Sequence, residues 1–83
     1  MALQRSPLET ARRQFPLLRE QVARLHERDP MFQELCEDYE SCLETLGDSA
    51  ISEELRYEYE ALRLRLEAEM LGYLRQAEAR EKD

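Results

Sequence analysis

Apolar residues between Ser52 and Ala79 fall on two faces of a 3.6-residue helix. One stripe runs Leu55, Tyr59, Leu62, Leu66, Met70, Tyr73, Ala77 in steps of three and four. A second runs Tyr57, Ala61, Leu64, Ala68, Leu71, and its offset of two residues, about 200° at roughly 100° per residue, sets it nearly opposite the first. One neighbouring helix cannot cover both. The pattern therefore predicts a helix with two partners, one supplied by its own chain and one by another surface such as a second copy.

The earlier part of the chain supplies the first partner. Phe15, Leu18, Val22 and Leu25 form an apolar series with charged residues between them, and Pro16 sits where a first helical turn tolerates it. Asp29-Pro30 punctuates the series as a helix start would. The rhythm nevertheless carries on through Phe32, Leu35, Tyr39, Cys42 or Leu43, and Leu46 in one heptad phase. This predicts a bend, with Pro30 removing one backbone hydrogen bond and crowding the carbonyl of His26. A true turn at Asp29-Pro30 would instead make a compact three-helix bundle.

Gly47 predicts the end of this arm in a left-handed conformation. Ser52 is a candidate cap for the second arm, with Glu53 and Glu54 in a first turn whose dipole favours acids. So short a connection makes the arms antiparallel, pairing residues whose numbers sum to roughly 98. That register sets Leu43 against Leu55, Tyr39 against Tyr59, Phe32 against Leu66 and Leu25 against Tyr73, with Arg24 and Arg28 near Glu69. The expected fold is all-α: a coiled-coil-like antiparallel helical hairpin over residues 15–79, with arms 15–46 and 52–79 and the first arm bent near Asp29-Pro30. Residues 1–14 are expected to be flexible or partly helical, with Ser6-Pro7 and Glu9 able to cap a short turn. Residues 80–83 are read as a frayed tail.

Composition sharpens this picture. The chain has 83 residues, and a core of that size rarely supplies more than about 3–5 kcal/mol, so a second copy would add stability. Charged residues make up 37% and aromatics 7%, which suits long solvated helices; the regular Leu and Tyr spacing argues against disorder. The net charge of −7 is concentrated in the middle, where residues 29–60 carry eleven acids and a single arginine, whereas residues 1–28 carry six arginines and three glutamates. Such a balance disfavours nucleic acid and anionic lipid as partners. No apolar run reaches the roughly 18 residues of a membrane span, and the first residues lack the continuous apolar stretch of a secretion signal, so a cytoplasmic location is expected.

The run Phe15-Pro16, Leu18, Val22, Leu25, Asp29-Pro30-Met31-Phe32, Leu35, Tyr39, Leu43, followed by Arg63-Leu64-Arg65-Leu66-Glu67-Ala68-Glu69-Met70 and Leu74, resembles the YdcH-like family of small bacterial proteins. The likeness covers about residues 15–74, and its specific parts are the D-P-x-F step and the R-L-x-L-x-x-E segment. This chain has Glu67-Ala68 where the family usually has Lys-Asp, and its turn, Gly47 to Ile51, is longer than usual. The resemblance implies a coiled-coil-like hairpin and no assigned activity.

Candidate chemistry is sparse. Glu37, Asp38, Glu40 and Glu44 form an acidic face whose paired carboxylates could serve acid-base work or Mg2+ only in a cleft that a two-helix hairpin hardly offers. The simplest reading is a solvated face. His26, Cys36 and Cys42 are the only soft ligands and show no paired zinc spacing. A Cys36–His26 nucleophile pair is excluded by about 15 Å of helix. Cys36 and Cys42, about 10 Å apart on one helix, are too distant to bridge and read as reduced thiols, Cys42 being the candidate for cross-linking two copies.

Tyr59 and Tyr73 are expected inside the hairpin. Tyr57, Leu64 and Leu71 are the expected binding surface, unless helix one folds back over them. The sequence thus predicts a non-enzymatic interaction module without metal or cofactor, self-associating or docking a partner helix through that stripe. The alternative is a small acidic regulator that uses Glu37, Asp38, Glu40 and Glu44 on a basic surface of another protein.

Overall fold

The computed structural model describes residues 6–81, which form helices α1 (Pro7–Gln14), α2 (Arg19–Arg28), α3 (Pro30–Leu46) and α4 (Glu53–Glu81), with a 3-10 turn at Pro16–Leu18. Among the described residues there is no strand, and the fold is all-α. α3 and α4 make an antiparallel hairpin. α2 packs on the far end of α4, and α1 turns back to pack on both α2 and α3.

Each boundary has a local cause. Ser6 caps α1, its Oγ accepting from Glu9 N at 3.5 Å, with Pro7 at the first helical position. Phe15 and the 3-10 turn then form a corner, so Phe15 and Leu18 are not helical members of the first arm as their spacing suggested. Both still pack, half-buried, against the core. Residues 7–14 thereby become a two-turn helix with Ala11 fully buried.

At Asp29 the chain leaves the helix for one residue, with φ −117° and ψ 106°. Its amide donates to Leu25 O at 2.9 Å, closing α2, and its Oδ1 accepts from Met31 N at 2.9 Å and Phe32 N at 3.3 Å, opening α3. The expected bend is thus a complete stop and restart. The carbonyl of His26, which Pro30 cannot serve, receives the side-chain amide of Gln33 at 2.5 Å.

The turn differs from expectation in two respects. Gly47 ends α3 with φ −77° and ψ −11°, a right-handed conformation, and no glycine among the described residues has positive φ. Reversal is completed instead by Asp48, whose Oδ1 accepts from Ala50 N at 2.9 Å, before Ser52 Oγ accepts from Leu55 N at 3.1 Å to start α4. Secondly, Arg56 reaches back to the carbonyls of Leu46 (2.9 Å) and Asp48 (3.2 Å), neutralising the negative end of α3. α3 therefore finishes level with the second turn of α4.

That offset shifts the whole register. Cys42 Sγ donates to Tyr59 O at 3.3 Å, Tyr39 meets Glu67, Phe32 packs its ring 6.4 Å from that of Tyr73, and Arg24 and Arg28 reach Glu81 at 3.5 and 3.3 Å. The expected pairs Tyr39–Tyr59 and Phe32–Leu66 are each displaced by about two turns, and the arginines lie near Glu81 and not Glu69. The first turn of α4 overhangs α3, which leaves Leu55 exposed. The tail is helical through Glu81; residues 82 and 83 lie outside the described part.

The core consists of Ala11, Val22, Leu25, Phe32, Cys36, Tyr39, Cys42, Leu66, Met70, Leu74 and Ala77. Leu66, Met70 and Ala77 come from the expected inner stripe of α4. Leu74 joins them because α2 as well as α3 packs on that helix.

Candidate functional site

α4 presents the candidate surface. Tyr57 is 80% exposed and Leu64 58% exposed, Ala61 and Ala68 are exposed, and Leu71 is half-buried at the edge. These five recur at steps of four, three, four and three on the side of the helix away from Leu66, Met70 and Ala77. The turned-back α1 packs on α2 and α3, and Tyr57, Ala61, Leu64 and Ala68 stay exposed. An aromatic and a leucine displayed in line, backed by alanines, make a narrow apolar ridge suited to another helix.

The inner side of α4 is tied down by a polar cluster that the periodicity does not reveal. Tyr39 Oη donates to Glu67 Oε2 at 2.6 Å, and Arg63 donates to the same oxygen at 3.1 Å. Arg63 also holds Glu60 Oε2 through Nη2 and Nε at 2.8 and 3.2 Å, while the side-chain amide of Gln14 lies 3.0 Å from the Tyr39 oxygen. Burial, then the hydrogen bond to the Glu67 carboxylate, pushes the Tyr39 phenol well above its usual range. The hydrogen bond to Glu60, ahead of its other interactions, pushes Arg63 up and keeps it charged. α1, α3 and α4 are joined at this point. Only the pairing of Glu60, Arg63 and Glu67 at i, i+3 and i+4 is visible in the sequence.

The acidic face is divided. Glu37, Asp38 and Glu44 are exposed, but Glu40 is only 7% exposed and does not belong to a solvated face. α3 is covered by α1 on one side and α4 on another, so its buried arc is wider than a single stripe and takes in a position that a two-helix hairpin leaves in water.

Cys36 and Cys42 are free and buried. Burial, with a smaller contribution from the Glu37 charge, pushes the Cys36 thiol up to about 12; burial also raises Cys42, against the opposing charge of Arg63. Both act as small side chains in the core, and a buried Cys42 is not placed to cross-link two copies.

Among the described residues no three His, Cys, Asp or Glu side chains are grouped to hold a metal ion, and no helix is long and apolar enough to cross a membrane. A hollow of about 440 Å³ lies between the Asp29 joint and the end of α4, lined by Leu25, Arg28, Asp29, Pro30, Ala77, Arg80 and Glu81. Its basic and acidic side chains offset one another, with Glu81 already taken by Arg24 and Arg28. An apolar knuckle stands at the 3-10 corner, where Leu17 is 94% exposed beside Phe15 and Pro16. Comparison of the chain with protein-family models, with curated proteins and with solved structures found no match.

Proposed function

We propose that the chain is a non-enzymatic, YdcH-like helical interaction module of the cytoplasm that works by self-association through the outer stripe of α4. The observation that carries this reading is the exposure of Tyr57 and Leu64 in line with Ala61, Ala68 and Leu71, directly behind a helix face that is already buried. Apolar side chains at heptad spacing release water when a second such ridge meets them, at about 25 cal/mol per Å². Sedimentation of the purified protein beside Leu64→Glu tests it. The wild type is expected to sediment as a dimer and the variant as a monomer; two stable monomers would sink the reading.

A second reading rests on α3, which carries Glu34, Glu37, Asp38 and Glu44 without a single Lys or Arg. In that reading the module is an acidic regulator that occupies a basic surface on another protein. Salt separates the two modes. Association through the apolar ridge persists or strengthens in about 0.5 M NaCl, where the Debye length has fallen to roughly 4 Å, whereas the acidic mode collapses.

A further inference from the structure

We infer that the second copy lies antiparallel on α4, with a two-fold axis passing close to residue 66, so that each leucine of the ridge meets an alanine. This geometry rests on the self-association proposed above and specifies its register.

The argument begins with size alternation. Along the ridge the order is Tyr57, Ala61, Leu64, Ala68, Leu71, Arg75, so large and small side chains alternate strictly through Leu71. Two such ridges in parallel register would stack Leu on Leu and Ala on Ala, demanding a wide helix separation at one layer and a narrow one at the next. Reversing one copy about residue 66 sets Leu64 against the partner's Ala68 and Leu71 against the partner's Ala61. Every leucine–alanine layer then has the same width. The contact is isologous, as a closed dimer requires.

Charge favours the same orientation. The first part of α4, residues 53–60, carries four glutamates and one arginine, whereas residues 61–81 carry four of each. A parallel pair superimposes the acidic ends and stacks Arg75 on its own copy. The antiparallel pair places Arg75 over the ring of the partner's Tyr57 and beside the partner's Glu58, where cation–π and ionic attraction act together. Of the glutamates flanking the ridge, Glu60 and Glu67 are already held by Arg63 within each chain.

Gly72 supplies an observation independent of the ridge. It lies in the middle of the 29-residue α4, exposed, and a Cβ built there would meet nothing within 4 Å. Among the described residues nothing calls for glycine at a position where it weakens a helix by about 1 kcal/mol relative to alanine. Gly72 follows Leu71 on the flank of the ridge, next to a hollow shared with Glu69, Tyr73 and Gln76. In the reversed dimer the partner helix passes over this flank, and glycine lets the two backbones approach closely.

Cysteine pairing tests the register. Ala61→Cys and Leu71→Cys are oxidised separately and as a mixture, with the parent protein as control because its own thiols are buried. Circular dichroism melts establish that both variants fold. A cross-linked dimer is expected from the mixture and from neither variant alone. Cross-linking of Ala61→Cys with itself would establish a parallel pair and overturn the register while leaving self-association intact, as would a sedimenting dimer that gives no cross-link in the mixture. A parent that sediments as a monomer overturns both. Gly72→Ala is expected to raise the melting temperature of the dilute protein yet weaken dimerisation at least tenfold; an unchanged dissociation constant would remove Gly72 from the interface.

Discussion

The two faces of α4 carry nearly the same apolar pattern and meet different fates. The inner face buries Leu66, Met70, Leu74 and Ala77 under α2 and α3, while the outer face leaves Tyr57 and Leu64 in solvent. Periodicity says which residues share a face, and it does not say which face the chain has enough material to cover. With α1 spent on α2 and α3, the outer face of the longest helix keeps Tyr57 and Leu64 uncovered by the described residues.

Substitution should separate the faces most sharply. Met70→Ala is expected to destabilise the fold by about 2–5 kcal/mol, and Leu64→Ala to change it by less than about 0.5 kcal/mol at protein concentrations too low for association. Urea unfolding midpoints would show the contrast, and comparable losses at the two positions would erase it. At the polar edge of the inner face, Tyr39→Phe preserves shape but deprives Glu67 of its phenol donor; a loss of about 1.5–3 kcal/mol is expected in the same measurement.

Asp29→Ala should cost about 1 kcal/mol by removing two capping hydrogen bonds at the joint that holds α2 over the end of α4. Asp29→Asn, which keeps an acceptor, is expected to recover most of that loss. The mildest effect is confined to alkaline solution. Because folding raises the Cys36 pKa from about 9 to about 12, the thiol contributes stability that is complete below pH 9 and is lost as pH rises toward 12. Melting temperature should fall across that window, less steeply in Cys36→Ala, with no difference in slope between the two proteins near pH 7.

Much of the framework was legible in the residues themselves. Ser6-Pro7, Asp29-Pro30 and Ser52 mark helix starts through short-range chemistry, and the stripe through Leu66, Met70 and Ala77 marks the inner face. The misread features depend on contacts that helical periodicity does not encode. The register moved because Arg56 and Asp48 shape the turn unevenly, which symmetric counting about Gly47 to Ser52 cannot capture. Glu40 went unrecognised as buried because its cover depends on the chain reversing at Phe15–Leu18, where the apolar spacing looks helical. Of the candidate site, the outer stripe was readable from spacing alone, while the junction of Gln14, Tyr39, Glu67 and Arg63 needed three helices in place.

The joint at Asp29 has one further implication, for how the chain tolerates changes in length. A single residue there ends one helix and begins the next, so an inserted residue would swing everything before it by about 100° and pull Val22 and Leu25 away from their seats. The six residues from Gly47 to Ser52 have slack by comparison. Insertions and deletions should accumulate at the tip of the hairpin and be rejected at its elbow.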